Sequence, residues 1–237
     1  MKILVANLSG NMGKTTLVKH LLTPRMPDAR VVCLESTNAG SDEITAAIRL
    51  NADDEFASLV DILAIEDELI VDLGSSEAKE MIRKLKEYES AIQDFDLVLV
   101  PVIPDPKAIE DTISTVMTLH ALNVPPARIR ILFNRIPVHM TDKIRIIFSQ
   151  LIDAVENRAI IDTGLVIFQY EIYNSLKGAA NTVTDIASDQ TDWKLIARDS
   201  SLSESARIEA LQSNRNQKAA PTALRNLDAV FDALIAA

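Results

Sequence analysis

The chain has 237 residues, 48% of them hydrophobic, and a formal net charge of −10. That is apolar material for one full core with no evident linker, and the acidic balance argues against whole-surface, nonspecific DNA binding, an affinity that comes from neutralising phosphates. A single cysteine, Cys33, excludes an internal disulfide and a Cys-rich metal site, and neither a signal-peptide pattern nor an apolar run of roughly 18 residues is present, so a cytoplasmic bacterial protein with no membrane contact is expected.

The chain opens with a short apolar run, Ile3 to Ala6, followed by a turn of small residues and then by helical spacing at Leu17, Val18, Leu21 and Leu22. This strand, loop and helix carry Gly13-Lys14-Thr15, the tail of the phosphate-binding pattern G-x-x-x-x-G-K-[ST], in the context that pattern requires. Successive backbone N–H groups in such a loop point into one concavity, and the helix N-terminus adds about half a positive charge. Gly10 and Gly13 let the backbone approach the phosphates, Lys14 would reach the β- and γ-phosphate oxygens, the Thr15 hydroxyl would ligate Mg²⁺, and Thr16 is placed for the α-phosphate. The first glycine of the pattern falls at Leu8.

Pro24 and Pro27 break the helix, and VVCLE, ending at Glu35, reads as a second strand with Cys33 packed in the core. The polar segment Ser36 to Ser41 follows a strand end, where open α/β sheets place ligand loops. Glu35, Asp42 and Glu43 could sit near phosphates or position a water, or belong to a solvated acidic loop. Residues 44–66 carry helical spacing at Ile44, Ala47 and Ile48, then Phe56, Leu59, Val60 and Leu63. Leu69 to Val71 form an apolar strand that delivers Asp72 at its C-terminal end, followed by Gly74, Ser75 and Ser76. This is the Walker B arrangement, a carboxylate for Mg²⁺ and a loop able to sense the γ-phosphate.

A charged helix is expected over Glu77 to Ile92, then a central parallel strand in FDLVLVPVIP. Asp105-Pro106 marks a helix start, with Asp as N-cap. Strand Ile129 to Phe133 ends in Asn134-Arg135. Here the Asn amide could pair with a purine edge and the Arg lie flat on the ring, or the Asn could simply form a turn. Thr141 can cap the next helix. Arg128, Arg130, Arg135, Lys143 and Arg145 form the densest basic cluster, either a weak, salt-sensitive DNA contact or a solvated rim. Ala159 to Asp162 suggests a short strand. No task is evident for Phe168, Tyr170 and Tyr173, and an amphipathic helix from Thr222, with acidic residues on its polar face, is expected to dock on protein rather than lipid.

The predicted fold is thus α/β and P-loop NTPase-like, a mostly parallel twisted sheet with helices on both faces. The order of strand, GKT loop, helix, strand, acid-terminated strand and two further strands resembles the ParA/MinD superfamily of deviant Walker ATPases. The opening NLSGNMGKTTLVKHLLTPRMP looks most like the StbB-type plasmid stability proteins within it. That resemblance implies ATP and Mg²⁺ as cofactors and a nucleotide-dependent homodimer. It also implies partner proteins of plasmid stability, partition or conjugation, with any DNA contact weak or indirect. By position it carries Gly10, Gly13, Lys14, Thr15 and Thr16 over to phosphate and Mg²⁺ binding, Asp72 to the Walker B acid and Asn134 to the adenine. With the neighbouring loop residues Ser9, Asn11 and Met12, and Arg135 beside the base, these make the expected nucleotide site, with Thr15 and Asp72 for the metal and Lys14, Glu35 and Asp72 for catalysis. The signature lysine of the family falls at Ser9, a usual glycine at Asn11, and the family's D-x-D at Glu35-Ser36-Thr37, so hydrolysis is expected to be slow. A nucleotide-binding adaptor without hydrolysis, and a ligase like dethiobiotin synthetase, are the alternatives.

Overall fold

Period-two alternation in the first strand sets the layering. In β1 (Lys2–Val5), Ile3 and Val5 face one layer of helices, and Leu4, with Ala6 just beyond, faces the other. A computed structural model describes residues 1–35, 44, 46–88 and 90–236. The expectations placed on Ser36 to Ser41, Thr37, Asp42 and Glu43 lie outside the described residues.

Among the described residues, seven parallel strands form one sheet in the order β3-β2-β4-β1-β5-β6-β7. The others are β2 (Arg30–Leu34), β3 (Ile48–Leu50), β4 (Leu69–Leu73), β5 (Leu97–Val102), β6 (Ile129–Ile136) and β7 (Ile160–Phe168). β4 and β5 are buried at every position, as strands covered on both faces must be. One face is packed by α2 (Phe56–Ile65), α3 (Ala78–Glu87), α4 (Pro106–Ala121), α5 (Ile144–Ile147) and α6 (Ser149–Ala154). The other carries the helix that follows the GKT loop, together with α7 (Glu171–Ser175), α8 (Val183–Ser188) and the long α10 (Glu204–Ala236); α9 (Trp193–Arg198) packs against α10. No described helix is long and apolar enough to cross a membrane.

The GKT-loop helix is not uniform. α1 (Lys14–Leu17) widens into a π-helical turn, Val18–Leu22, and tightens to 3₁₀ over Thr23–Arg25. All five residues of the widened turn are buried, Lys19 and His20 among them.

Several boundaries differ from the sequence reading. The helix expected over 44–66 is only its second half; Ile48–Leu50 pairs with Val32–Leu34 as an edge strand. Three residues are too few to display period two, and the pairing supplies backbone hydrogen bonds that local spacing cannot reveal. Thr141 does not cap a helix. It lies inside a 3₁₀ segment, Val138–Lys143, and its hydroxyl donates to the Val138 carbonyl. Helix α3 ends at Glu87, with a 3₁₀ turn over Ala91–Asp94. β7 runs to Phe168 because β6 offers it an edge as far as Ile136. Helix α10 begins at Glu204 rather than Thr222 and runs through Pro221; Ala220 and Ala223 on either side are wholly buried, and that packing offsets the missing N–H. As expected, its apolar stripe docks on the protein, through Leu227, Val230 and Leu234. Cys33 is buried, and burial with nearby Asp72 pushes its thiol up to about 12.

Candidate functional site

β1 lies between β4 and β5, so successive connections leave it on opposite sides and open a crevice at the C-terminal edge of the sheet. There the structure forms a cleft of about 590 Å³ lined by Asn11 to Thr16, Glu35, Asp72, Gly74 to Ser76, Asn134 and Arg135. Register explains the convergence: Asp72 sits level with Val5 of β1 and Cys33 of β2, so its carboxylate emerges beside the loop that β1 feeds.

The Thr15 hydroxyl donates to Asp72 Oδ2 at 2.7 Å. A hydroxyl and a carboxylate held this close are hard oxygen donors of the kind Mg²⁺ takes when it shares its remaining positions with phosphates and water, so the residues fit that ion. Lys14 Nζ folds back over the loop and donates to the Asn7 carbonyl at 3.1 Å and the Ser9 carbonyl at 2.8 Å. Burial pushes the Lys14 ammonium down, opposed by the charge of Asp72. Both carbonyls are weaker acceptors than a phosphate oxygen, so an arriving anion can exchange for them.

The loop is pinned from two sides. Gly13 adopts φ +81°, and a Cβ there would lie 2.4 Å from Asn134 Nδ2. Asn134 is buried, donates to the Met12 carbonyl at 2.8 Å, and accepts from the Arg135 backbone N–H at 2.9 Å. Asn134 therefore holds the phosphate loop in this state, a contact the purine-edge reading did not anticipate. Arg135 and Asn11 both have positive φ, 55° and 61°, and their side chains meet at 3.3 Å. Non-glycine residues in that region are uncommon and cluster where a site imposes them.

Asn7 pins the other side, unforeseen in the sequence reading. Its buried amide donates to the Pro101 carbonyl (2.9 Å) and Thr112 Oγ1 (2.8 Å), while its oxygen accepts from the Ser9 N–H (2.8 Å). Thr115 on α4 accepts from the Leu8 N–H, so the position where the pattern lost its glycine is held by β5 and α4 instead. A Cβ on Gly10 would approach Ser75 Oγ at 3.3 Å, which brings the loop after Asp72 against the GKT loop.

Of the expected site residues, Asn11 to Thr16, Glu35, Asp72, Asn134 and Arg135 line the cleft. Ser9 and Gly10 do not line it; Ser9 contributes backbone only among its described contacts. Arg128 and Arg130 of the basic cluster stand apart from Arg135. Arg128 and Arg130 stand at the start of β6 and Arg135 near its end, roughly 20 Å away along a strand rising about 3.3 Å per residue. Arg128 is spent on the Gln93 and Phe95 carbonyls, and Arg130 is buried with its guanidinium on the Ala127 carbonyl.

The cleft has a second wall to which the sequence assigned no task. Gln169, Tyr170, Tyr173, Asn174, Leu176 and Lys177 line it from the segment after β7, opposite His20. This wall is tied to the GKT-loop helix: Lys19 Nζ donates to the Leu176 carbonyl at 3.1 Å and to that of Ala179, and the Val183 N–H donates to His20 Nδ1 at 3.2 Å. Sequence offered only the aromatic clustering as a signal, since the contacts span more than 150 residues.

No protein-family model and no curated protein matches the chain. Among solved structures, apo McdA of Cyanothece aligns with a TM-score of 0.52 at 13% identity, covering 94% of this chain and 99% of that one. The MinD cell division protein of Aquifex aeolicus aligns at 0.50 with 12% identity, over 91% of this chain and 95% of that one. At such identity the likeness is one of fold: this chain shares the α/β architecture of those two proteins.

Proposed function

We propose that the protein is a ParA-like switch that binds Mg²⁺-ATP, hydrolyses it slowly, and acts from the bacterial cytoplasm in plasmid stability, partition or conjugative transfer. The observation that carries the reading is the pairing of Thr15 with Asp72 at 2.7 Å, inside a loop whose lysine is already folded over it. The superfamily fold supports it, and the opening resemblance to StbB-type proteins supplies the plasmid context.

Lys14 would move from the Asn7 and Ser9 carbonyls to the phosphates, and the amides of residues 11–16 would hold the anion. Thr15 and Asp72 would hold Mg²⁺, which supplies charge neutralisation on the phosphates when bound. Glu35 and the loop from Gly74 to Ser76 lie where they can orient a water and register the γ-phosphate. Ser9 brings no cation to the place of the family's signature lysine, so turnover is slow. The same feature favours, as second reading, an adaptor that binds nucleotide without hydrolysing it.

A nucleotide-dependent homodimer and a partner protein are part of the proposal; DNA contact, where it occurs, goes through that partner. The test is ATP binding and turnover with Mg²⁺ for wild type and Lys14→Ala, with mass followed by light scattering. Lys14-dependent binding, slow turnover and an ATP-driven doubling of mass are expected. Absence of binding by the wild-type chain sinks the proposal, and binding with no turnover leaves the adaptor.

A further inference from the structure

Resting on the nucleotide reading, we propose that His20 donates its Nε2–H to a ribose hydroxyl of the bound nucleotide, making the cleft selective for ribonucleotides.

The argument starts from the ring's hydrogen bonds. Val183 N–H, the first amide of α8, points at His20 Nδ1, so that nitrogen is the acceptor and the proton of the neutral ring sits on Nε2. The ring lines the cleft and is flanked by Tyr173, with centroids 5.7 Å apart. Burial and the adjacent Lys19 charge, against a smaller opposing effect of Asp185, hold the imidazole neutral, with its pKa lowered to about 3. What His20 offers the cleft is therefore an uncharged donor of fixed tautomer.

Position selects the ligand group. His20 follows Thr16 by four residues on one helix, and both face the cleft. One helical turn is about 5 Å, the separation of a sugar from its α-phosphate. A cation would be expected where a phosphate lies; a neutral donor suits a hydroxyl. The widened turn Val18–Leu22 is the device that places it, since it buries Lys19 and His20 together, one anchoring the far wall and the other lining the cleft.

The experiment compares ATP with 2′,3′-dideoxy-ATP, both with Mg²⁺, by calorimetry on wild type, His20→Phe and His20→Asn. Wild type is expected to prefer ATP by roughly tenfold, the worth of one buried hydrogen bond. His20→Phe should lose that preference while keeping its affinity for the dideoxy compound, and His20→Asn, still a donor, should recover part of it. Equal wild-type affinity for the two compounds overturns the proposal while the nucleotide reading stands; no affinity for either overturns both. A preference that survives in His20→Phe overturns it as well, including the case where both affinities fall together through lost packing. Should His20→Phe fail to fold, the ¹⁵N-detected Nε2–H resonance of wild-type His20 decides. A shift with ATP that the dideoxy compound does not produce supports the proposal; the same response to both, or none, defeats it.

Discussion

At Gly13 two constraints meet in one residue. The backbone sits at φ +81°, and a methyl group there would press on the Asn134 amide at 2.4 Å. Gly13→Ala should therefore destabilise the fold by about 2 kcal/mol and displace Asn134 from Met12, with loss of nucleotide binding; urea unfolding and a binding titration check both. His20 yields a pH prediction whose sign is fixed by its depressed pKa. The unfolded chain takes up this proton near pH 6.5, the folded one only near 3, so stability falls as pH drops through that window and is unaffected above it. Between pH 7 and pH 5 the loss from this residue is ~2 kcal/mol. Urea midpoints at the two pH values should lie closer together in His20→Asn than in wild type; an unchanged spacing would contradict the assignment.

At the scale of elements, the wall after β7 hangs on the helix behind the phosphate loop. Lys19→Met removes the ammonium that holds the Leu176 and Ala179 carbonyls. Amide exchange in residues 171–188 should then accelerate at least tenfold while β1 and β4 keep their protection. Helix α10 makes the opposite point about local signals. Pro221 is an exposed proline in the middle of 33 helical residues, where its ring costs a hydrogen bond. Pro221→Ala should raise stability by about 1–3 kcal/mol, read as a higher urea midpoint with an unchanged slope.

For the whole molecule, Arg128 and Arg130 are engaged with backbone carbonyls at the start of β6, apart from Arg135 near its end, while Lys143 and Arg145 are exposed. Replacing Arg128 with alanine should leave plasmid DNA retention at low salt unchanged, because that side chain is spent on the Gln93 and Phe95 carbonyls; a marked drop in retention would show that DNA reaches the start of β6 after all. The architecture also ties the loop to both layers of helices. From the phosphate loop, one chain of hydrogen bonds runs through Asn7 to α4 and another through Lys19 and His20 to α7 and α8.

Sequence alone determined the strand, GKT loop and helix that open the chain, the acid at the end of β4, the N-cap at Asp105, and the α/β order, because each is written in contiguous residues. Lys14, Thr15 and Asp72 were expected to meet because a GKT loop and an acid-ended strand both finish at the same edge of a parallel sheet, and the structure brings the three together. Only the tertiary structure decided the edge strand β3, the start of α10, the grip of Asn7 and Asn134 on the loop, and the far wall carrying Tyr170, Tyr173 and Lys177. Those depend on partners more than 15 and up to 163 residues away. A hydrogen bond or a buried contact across such a span leaves no periodic trace in the chain, and burial in three dimensions outweighed the local propensities that the sequence displayed.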